Sequence, residues 1–488
     1  MEEKAIRSVP WTLLTYGVNR GLLFLTTIVL ARVLEPRDFG LVALATLALL
    51  SLAIFSDFGF GSALVLRRDL GHEALRTALT SMLALAALVG AAIVAISPVA
   101  ADTFTEPDLP PLLAALAITV PIGAVVSFHE ALLQRELEFR RRFVGRLVQA
   151  VVYAMVGLVS AFLGAGVWSL VLAQVISVTA QAAGLIALAP VRVWPGFSGS
   201  AARELLRTGR GFIAQGWLAF ASQNADYFVI GRLLGTTPLG FYSMAYRAGS
   251  LPYLAVADPI AKVTFPAFSR LRERGEDVEP AFLSTLRLIA LVTMPVGIVL
   301  SAGAAPFTVS VFGDDWRPMI GPLVAIGIWA SIRPIQVTIG WLLNSMGFAG
   351  QTAVVAAAIL PASVAALAFA ATAGGITAVA WVTASSTALS LAILSLLAAY
   401  RVDITVRRQL IALRPALIGA APGWIAGRLA GEALMPVNPV LALIAAAAAG
   451  TLAYAIAVIA AAPRLPAQTM RQIRRMVGPS TDPAVPLP

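Results

Sequence analysis

The sequence contains no cysteine and only two histidines, His72 and His129. The missing thiols exclude disulfides, thiolate nucleophiles and cysteine-ligated metals, and two imidazoles offer little for a metal site. Charged residues are also scarce: they make up 12 % of the 488 residues, whereas soluble proteins carry about 25 %. Thiol and metal enzymes are therefore disfavoured, and we predict neither a catalytic residue nor a metal ligand.

The sequence is rich in apolar residues. The hydrophobic fraction is 59 % and the mean hydropathy is +0.86, which is typical of a polytopic membrane protein. Fourteen apolar runs are each long enough to cross a hydrocarbon core of about 30 Å. Helices are the default in lipid, because they satisfy their backbone groups internally. The predicted spans are residues 10–33, 39–61, 74–98, 110–130, 143–163, 167–189, 208–234, 238–262, 281–303, 319–344, 351–371, 376–400, 409–429 and 439–462.

Basic residues are distributed unevenly between the predicted loops. Of the 35 Lys and Arg residues, three fall within spans and five in outer segments. All the others, with Arg287 counted among them, fall in inner segments. Because positive loops resist translocation, both termini are predicted to be cytoplasmic. The basic excess then needs no nucleic-acid partner. Residues 140–142, all arginine, are interpreted as an orientation signal beside anionic lipid rather than as a binding site.

An internal repeat links the first span to the seventh. ARVLEPRDFG at residues 31–40 aligns with GRLLGTTPLG at residues 231–240, which pairs Arg32 with Arg232 and Gly40 with Gly240. Six spans separate the copies, so the halves share one orientation and are predicted to be related by an axis along the membrane normal. We therefore predict an all-α fold with two six-helix lobes and two extra C-terminal helices. The predicted boundaries are residues 1–190 and 208–400 for the lobes and 191–207 for the linker between them. Residues 401–463 hold the two extra helices, which are the thirteenth and fourteenth predicted spans, and residues 464–488 form a basic, then disordered tail.

Two spans between residues 210 and 262 are too polar to be simple anchors. The seventh carries Gln215, Gln223, Asn224 and Asp226, and the eighth carries Arg247 and Asp258. An ionisable side chain at the bilayer centre costs about 2.5–3.5 kcal/mol, so such residues normally face protein or a watery cavity. The pattern predicts a polar cavity; the alternative is that these side chains only join neighbouring helices by hydrogen bonds.

Three arginines lie near mid-membrane: Arg20, Arg247 and Arg333. A guanidinium stays charged and donates bidentately to phosphate, so a positive midplane suits an anionic cargo. We predict that these three side chains hold a diphosphate, while Gln215, Gln223 and Asn224 supply polar groups to the cavity. Pro334, directly after Arg333, predicts a break in the tenth helix. The alternative for Arg247 is a structural ion pair with Asp226 or another acid.

Carboxylates near the cavity offer candidates for ion coupling. Asp226 could bind Na⁺ or a proton, and an ion pair with Arg247 or Arg232 is equally compatible with the sequence. Asp57 and Asp258 fit helix capping or pairing better than coupling, and Glu130 beside His129 is expected to be solvated. No cofactor is predicted apart from a possible proton or Na⁺ gradient.

Several motifs resemble those of a known family. They are LARVLEPRDFGLVALA, FSDFGFGSALVLRR, QRELEFRRRF, SQNADYFVIGRLLGTTPLGFYSMAYRAGSLP and FPAFSRLR. They are similar to the oligosaccharide flippases of the polysaccharide transporter family, WzxC and TuaB type, in the multidrug/oligosaccharidyl-lipid/polysaccharide superfamily. The resemblance implies movement of undecaprenyl-diphosphate-linked sugar units to the outer leaflet of a bacterial cytoplasmic membrane for polysaccharide export. It also implies possible contact with a polymerase and the export machinery.

Two other functions stay open. A cationic-drug antiporter of the same superfamily would need an acidic or aromatic midplane. A polyprenyl-dependent glycosyltransferase or polymerase would need catalytic carboxylates on a substantial loop or soluble domain, and the predicted outer loops are short. We therefore predict a transporter rather than an enzyme.

Overall fold

The computed structural model describes residues 19–57, 64, 71–136, 138–189, 193–199 and 211–462. Every regular element within them is helical, as the sequence predicts, because a helix satisfies its own backbone groups in lipid. The helices are α1 (Arg20–Ala31), α2 (Pro36–Asp57), α3 (His72–Phe104), α4 (Leu109–Ala117), α5 (Thr119–Arg135), α6 (Phe139–Phe162), α7 (Trp168–Leu188), α8 (Gly211–Leu233), α9 (Thr236–Pro252), α10 (Asp258–Glu273), α11 (Glu279–Ala302), α12 (Ala304–Val311), α13 (Ile320–Ser345), α14 (Ala349–Val402), α15 (Val406–Leu434) and α16 (Pro439–Ala461).

Ten segments of the described residues are helical, long and apolar enough to cross a membrane. The chain is thus a multi-pass membrane protein. Helices α4 and α5 together form one such segment, at the fourth predicted span. Helices α8 and α9 are not among the ten, in agreement with the sequence, which marks both as too polar for plain anchors.

Helix α14 contains two predicted spans. Its 54 residues are interrupted at Gly374 (φ −149°) and Gly375 (φ 63°, ψ −156°), where the backbone leaves the helical region. A positive φ with an extended ψ is open essentially to glycine alone. The interruption falls between the predicted spans 351–371 and 376–400, so the sequence located this break correctly.

The chain forms two compact units. The first comprises Met1–Ala245, Val311–Met319 and Ala356–Val382, and the second comprises Tyr246–Ser310, Ile320–Val355 and Thr383–Pro488. The proposed lobe boundaries at residues 190 and 208 stay a prediction. Of the predicted linker, residues 193–199 are described, and they bond to the start of α3 through Arg76 and Thr80. The tail at 464–488 and the first half of the first predicted span lie outside the described residues.

In the first unit, α2 and α9 cross at two glycines. A Cβ added to Gly40 would lie 1.8 Å from the carbonyl oxygen of Thr236, and one on Gly240 would lie 1.9 Å from that of Pro36. Only glycine permits such an approach of two backbones. Gly40 and Gly240, like Pro36 and Thr236, stand 200 residues apart, so the contact is reciprocal between the two sequence repeats.

In the second unit, α11 and α13 pack antiparallel through small residues. The Ser301 hydroxyl donates to the Val324 carbonyl at 2.9 Å, and the Ser331 hydroxyl donates to the Met294 carbonyl at 3.3 Å. A residue seven positions earlier on α11 is therefore level with a residue seven positions later on α13. This register fixes the relative depth of the charged residues on the two helices.

One local prediction is wrong and another feature was missed. Helix α13 runs unbroken from Ile320 to Ser345 with Pro334 inside it, so the predicted break after Arg333 is absent. Tight packing on α11 keeps the helix continuous, although Pro334 lacks the N–H that would bond four residues back. The eighth predicted span is instead interrupted by a π-helical turn, Tyr253–Ala257, directly after Pro252.

Candidate functional site

Arg247 is exposed on a helix that is otherwise almost covered. Within α9, only Arg247 and Thr237 have exposed side chains. Among the described residues of the second unit, the Arg247 side chain has neither an ion-pair nor a hydrogen-bond partner. The alternative of a structural pair with Asp226 stays a prediction. A cation facing lipid hydrocarbon would be costly, so this side chain requires water or an anion beside it.

Arg333 lies on the seam where α9 packs against α13. The ring of Tyr246, the residue before Arg247, packs at a tilt against Trp329 with centroids 4.8 Å apart, and Gly249 packs on Ile326. Arg333 follows Trp329 by four residues and Ile326 by seven, so it shares their face of α13. Two of the three predicted clamp arginines therefore belong to one helix pair in one unit.

A short polar chain holds Arg333 without neutralising it. The half-buried guanidinium donates from Nη1 to Oε1 of Gln336 at 3.1 Å, and Gln336 donates from Nε2 to the Ser390 hydroxyl at 3.0 Å. Both partners are uncharged, so the side chain is positioned while its positive charge stays available. Among the described residues no carboxylate pairs with it.

A fourth arginine, Arg287 on α11, escaped the sequence prediction. It was counted with the cytoplasmic charges, whereas the structure places it eight residues into an apolar span that begins at Glu279. Its Nε is buried and has no hydrogen-bond partner. The signal in the sequence was its position inside the predicted span 281–303, which a loop-based count of charges ignores.

Two arginines of the first unit form ion pairs with a carboxylate. Arg142 and Arg146 on α6 both bind Glu130 of α5, with nitrogen–oxygen distances of 2.9 and 2.7 Å. Gln181 of α7 adds a longer contact at 3.4 Å. The Glu130 side chain is only 14 % exposed, so the expectation that it is solvated is wrong: the two arginines replace water around it. These two cations join α6 to α5 through one shared carboxylate.

Asp226 joins α8 to α9 in the first unit. The Tyr242 hydroxyl donates to Oδ2 of this buried carboxylate at 2.5 Å, and the backbone N–H of Tyr227 donates to Oδ1 at 2.9 Å. The predicted alternative of an ion pair with Arg232 is wrong, because no such pair forms between these two described side chains. Asp226 thus acts as the interhelical hydrogen-bond acceptor that the sequence offered as an alternative.

The predicted polar side chains of α8 bond within their own helix. Gln223 donates to the Ala219 carbonyl at 3.1 Å, and Asn224 donates to that of Phe220 at 2.8 Å. Asn224 also lines a largely apolar cavity of about 410 Å³ in the first unit. Its other walls come from α2, α3, α8 and α14 and include four aromatic rings, namely Phe104, Trp217, Phe220 and Phe228.

Four predicted site residues remain, and one of them lies fully within the described part of the chain. The side chains of Arg20, Asp57 and Gln215 lie outside the described residues. Asp258 begins α10 after the π-helical turn and is half-buried. In the described residues no cluster of three His, Asp or Glu side chains could hold a metal ion.

Comparison with known families and proteins places the chain in a polysaccharide biosynthesis family. The family described as "Polysaccharide biosynthesis protein" matches residues 29–321. Lipopolysaccharide biosynthesis protein WzxC of Escherichia coli (strain K12) is 25 % identical over 349 residues, 70 % of each chain. Succinoglycan biosynthesis transport protein ExoT of Rhizobium meliloti (strain 1021) is 28 % identical over 322 residues, 65 % of each chain. Teichuronic acid biosynthesis protein TuaB of Bacillus subtilis (strain 168) is 25 % identical over 430 residues, 86 % of this chain and 88 % of that protein.

Solved structures share the fold at low sequence identity. Lipid II flippase MurJ in an inward closed conformation matches with a TM-score of 0.77 at 14 % identity, over 93 % of this chain and 98 % of that one. An inward-facing multidrug resistance MATE family transporter of the MOP superfamily matches with a TM-score of 0.64 at 15 % identity, over 80 % of this chain and 94 % of that one. The chain therefore has the fold of the transporters in that superfamily.

Proposed function

The chain belongs to the polysaccharide biosynthesis protein family, and we propose that this transport protein moves polyprenyl-diphosphate-linked oligosaccharide units from the inner to the outer leaflet of the cytoplasmic membrane. The cargo then serves export of a polysaccharide such as O-antigen, capsule or exopolysaccharide. Both termini are cytoplasmic in this proposal, in line with the bias of basic residues.

The observation that carries the proposal is the seam between α9 and α13. Among the described residues, Arg247 is exposed without a partner, and the one partner of the Arg333 guanidinium on the same seam is an uncharged amide. Each of these cations would cost several kcal/mol inside a membrane with nothing to compensate it. A diphosphate supplies two adjacent anionic groups, and the planar fork of arginine binds such groups bidentately. Arg20 is proposed as the third cation of this clamp.

Translocation by alternating access fits the reciprocal crossing of α2 and α9. The crossing joins equivalent positions of two repeats, which supports two lobes related by an axis along the membrane normal. Beside it, Glu106 accepts from Arg37 at 2.9 Å and from Thr236 at 2.5 Å, so one carboxylate ties the two repeats together. In this proposal the crossing closes the outer end while the cargo site is open to the inside.

A cationic-drug antiporter is the second candidate, because MATE transporters share the fold. The described charges of the α9–α13 seam are positive, which opposes a cationic cargo. The enzyme alternative, a glycosyltransferase or polymerase, finds no support in the family match, whose curated relatives include a named transport protein. Coupling to a proton or Na⁺ through Asp226, Asp258 or Asp57, and contact with a polymerase or export machinery, stay proposals.

Purified protein in proteoliposomes loaded with a lipid-linked oligosaccharide tests the clamp. Arg247→Gln and Arg333→Gln should each slow translocation at least tenfold, since a hydrogen bond to a charged group contributes about 1.5–3 kcal/mol. Lysine at either position should restore the rate only partly, because it keeps the charge and loses the bidentate fork. Arg232→Gln removes an exposed arginine at the end of α8 and is the matched control, which should keep the wild-type rate.

Two results would contradict the proposal. Both glutamine variants could translocate cargo at the wild-type rate, in which case these arginines do not hold the diphosphate. Alternatively, the wild-type protein could transport organic cations and leave lipid-linked oligosaccharide in place, which would favour the antiporter.

A further inference from the structure

Arg287 is unusual among the arginines that the structure describes. It is the only one with a buried nitrogen that lacks a hydrogen-bond partner. The residue as a whole is half-buried, so its outer nitrogens keep partial access while Nε is covered. No acid in the described residues pairs with it, and Glu279, the only acid on α11, is bound by Arg408 of α15.

An arginine in this position destabilises the empty protein. A buried donor without a partner costs about 1–3 kcal/mol, and more when it carries charge. Replacing such a cation by an apolar residue of similar volume is often neutral or stabilising. Since the chain keeps the guanidinium within an apolar span, water or an anion absent from the polypeptide would offset this cost, and of the two only an anion also neutralises the charge.

The register of α11 and α13 gives the depth of Arg287. Ser301 is level with Val324 and Met294 with Ser331, so a further step of seven residues on each helix places Arg287 level with Thr338. Thr338 follows Arg333 by five residues, which is about 8 Å along the helix axis. Arg287 therefore lies closer than Arg333 to the end of the unit where α11 begins. This is the end predicted to face the cytoplasm.

Arg287 and Arg333 are too far apart in orientation to bind the same phosphate group. Arg287 precedes Met294 by seven residues and Ser301 by fourteen, which puts it near the face of α11 that packs on α13. Arg333 lies on the other side of α13, on the face that packs against α9. One phosphate group cannot lie between two guanidinium groups placed in this way.

We propose that Arg287 is a second anion-binding point for the phosphate groups of the cargo, closer to the cytoplasmic end than Arg247 and Arg333. The proposal rests on the function proposed above, in which the cargo carries a diphosphate. Entering cargo meets Arg287 before it reaches the α9–α13 seam. The side chain thus contributes affinity for cargo at the expense of stability in the empty state.

The test measures stability and ligand binding on the same purified, full-length variants. The probe is undecaprenyl diphosphate, whose binding is followed by native mass spectrometry. Arg287→Met should raise the Tm of the empty protein and weaken probe binding at least tenfold. The control is Arg428→Met, because Arg428 of the same unit pairs with Glu432 at 2.5 Å. It should leave probe binding unchanged.

The possible outcomes separate the two proposals. If wild-type protein does not bind the probe, the proposed function fails. If wild-type protein binds it and Arg287→Met binds equally well, only the role of Arg287 is overturned, whatever the Tm. Should Arg287→Met fold poorly, Arg287→Lys decides: several-fold weaker binding at wild-type Tm supports the proposal, and wild-type affinity overturns it.

Discussion

Arginines within the apolar spans are treated differently in the two units. In the first unit, Arg142 and Arg146 share Glu130, so two positive charges contact one carboxylate through four hydrogen bonds. In the second unit, Arg247, Arg287 and Arg333 have no acidic partner among the described residues. Paired cations stabilise helix packing, whereas cations without a partner require a ligand or water. In the function proposed above, the paired arginines belong to the scaffold and the arginines without an acidic partner to the cargo site.

The largest expected effect comes from making the first unit resemble the second. Glu130→Gln keeps the shape of the side chain and leaves Arg142 and Arg146 without their anion. Removing one partner of a buried ion pair costs about 3–5 kcal/mol, so the Tm in detergent should fall sharply. Glu138→Gln is the control, because the Glu138 side chain is 37 % exposed and lies 3.9 Å from Arg141. An exposed pair contributes about 0–1 kcal/mol, and the control should barely shift the Tm.

The same substitution also separates scaffold from cargo site. Any Glu130→Gln protein that remains folded should still bind undecaprenyl diphosphate with wild-type affinity. A normal Tm combined with lost binding would contradict the comparison, since Glu130 and its arginines would then belong to the cargo site.

The converse change makes the second unit resemble the first. Gln336→Glu places a carboxylate where an amide now accepts from Arg333 at 3.1 Å. The new ion pair should neutralise Arg333 and slow translocation about tenfold, a change of about 1.4 kcal/mol in the barrier. The Tm should stay equal or rise, because the pair is half-buried and the lost hydrogen bond to Ser390 is a neutral one.

A matched control keeps the amide but changes its reach. Gln336→Asn cannot neutralise Arg333, so it should reduce the rate much less than Gln336→Glu. Equal rates for the two variants would show that the positive charge of Arg333 is not what the cargo requires.

Composition and periodicity predict the helices well, because bilayer thickness and backbone hydrogen bonding leave few alternatives. The break at Gly374 and the polar character of α8 and α9 follow from residue types alone. The reciprocal contact of Gly40 and Gly240 was not predicted, although the alignment had already paired these two residues.

The side-chain partners were harder to predict. Glu130 was expected in solvent because it ends a span, yet α6 brings two arginines to it from the next helix. Arg287 was counted with the cytoplasmic charges although it lies inside the predicted span 281–303. For Asp226 the sequence left ion binding, an ion pair and an interhelical hydrogen bond open, and a tyrosine sixteen residues away binds it. Sequence shows which residues carry charge, whereas helix packing decides whether each charge has a partner.

The smallest expected effect concerns Asp226, the acid of the first unit that a phenol binds. Tyr242→Phe removes the hydroxyl that donates at 2.5 Å and leaves the ring in place. Because the carboxylate is buried, loss of this donor should destabilise the protein by about 1–3 kcal/mol. The control is Tyr400→Phe, since Tyr400 is 79 % exposed and should shift the Tm very little. If Asp226 belongs to the scaffold, Tyr242→Phe lowers the Tm and leaves the dependence of translocation on the proton or Na⁺ gradient unchanged. A variant that keeps its Tm and loses that dependence would instead assign Asp226 to ion coupling, and the first unit would then contribute a functional charge of its own.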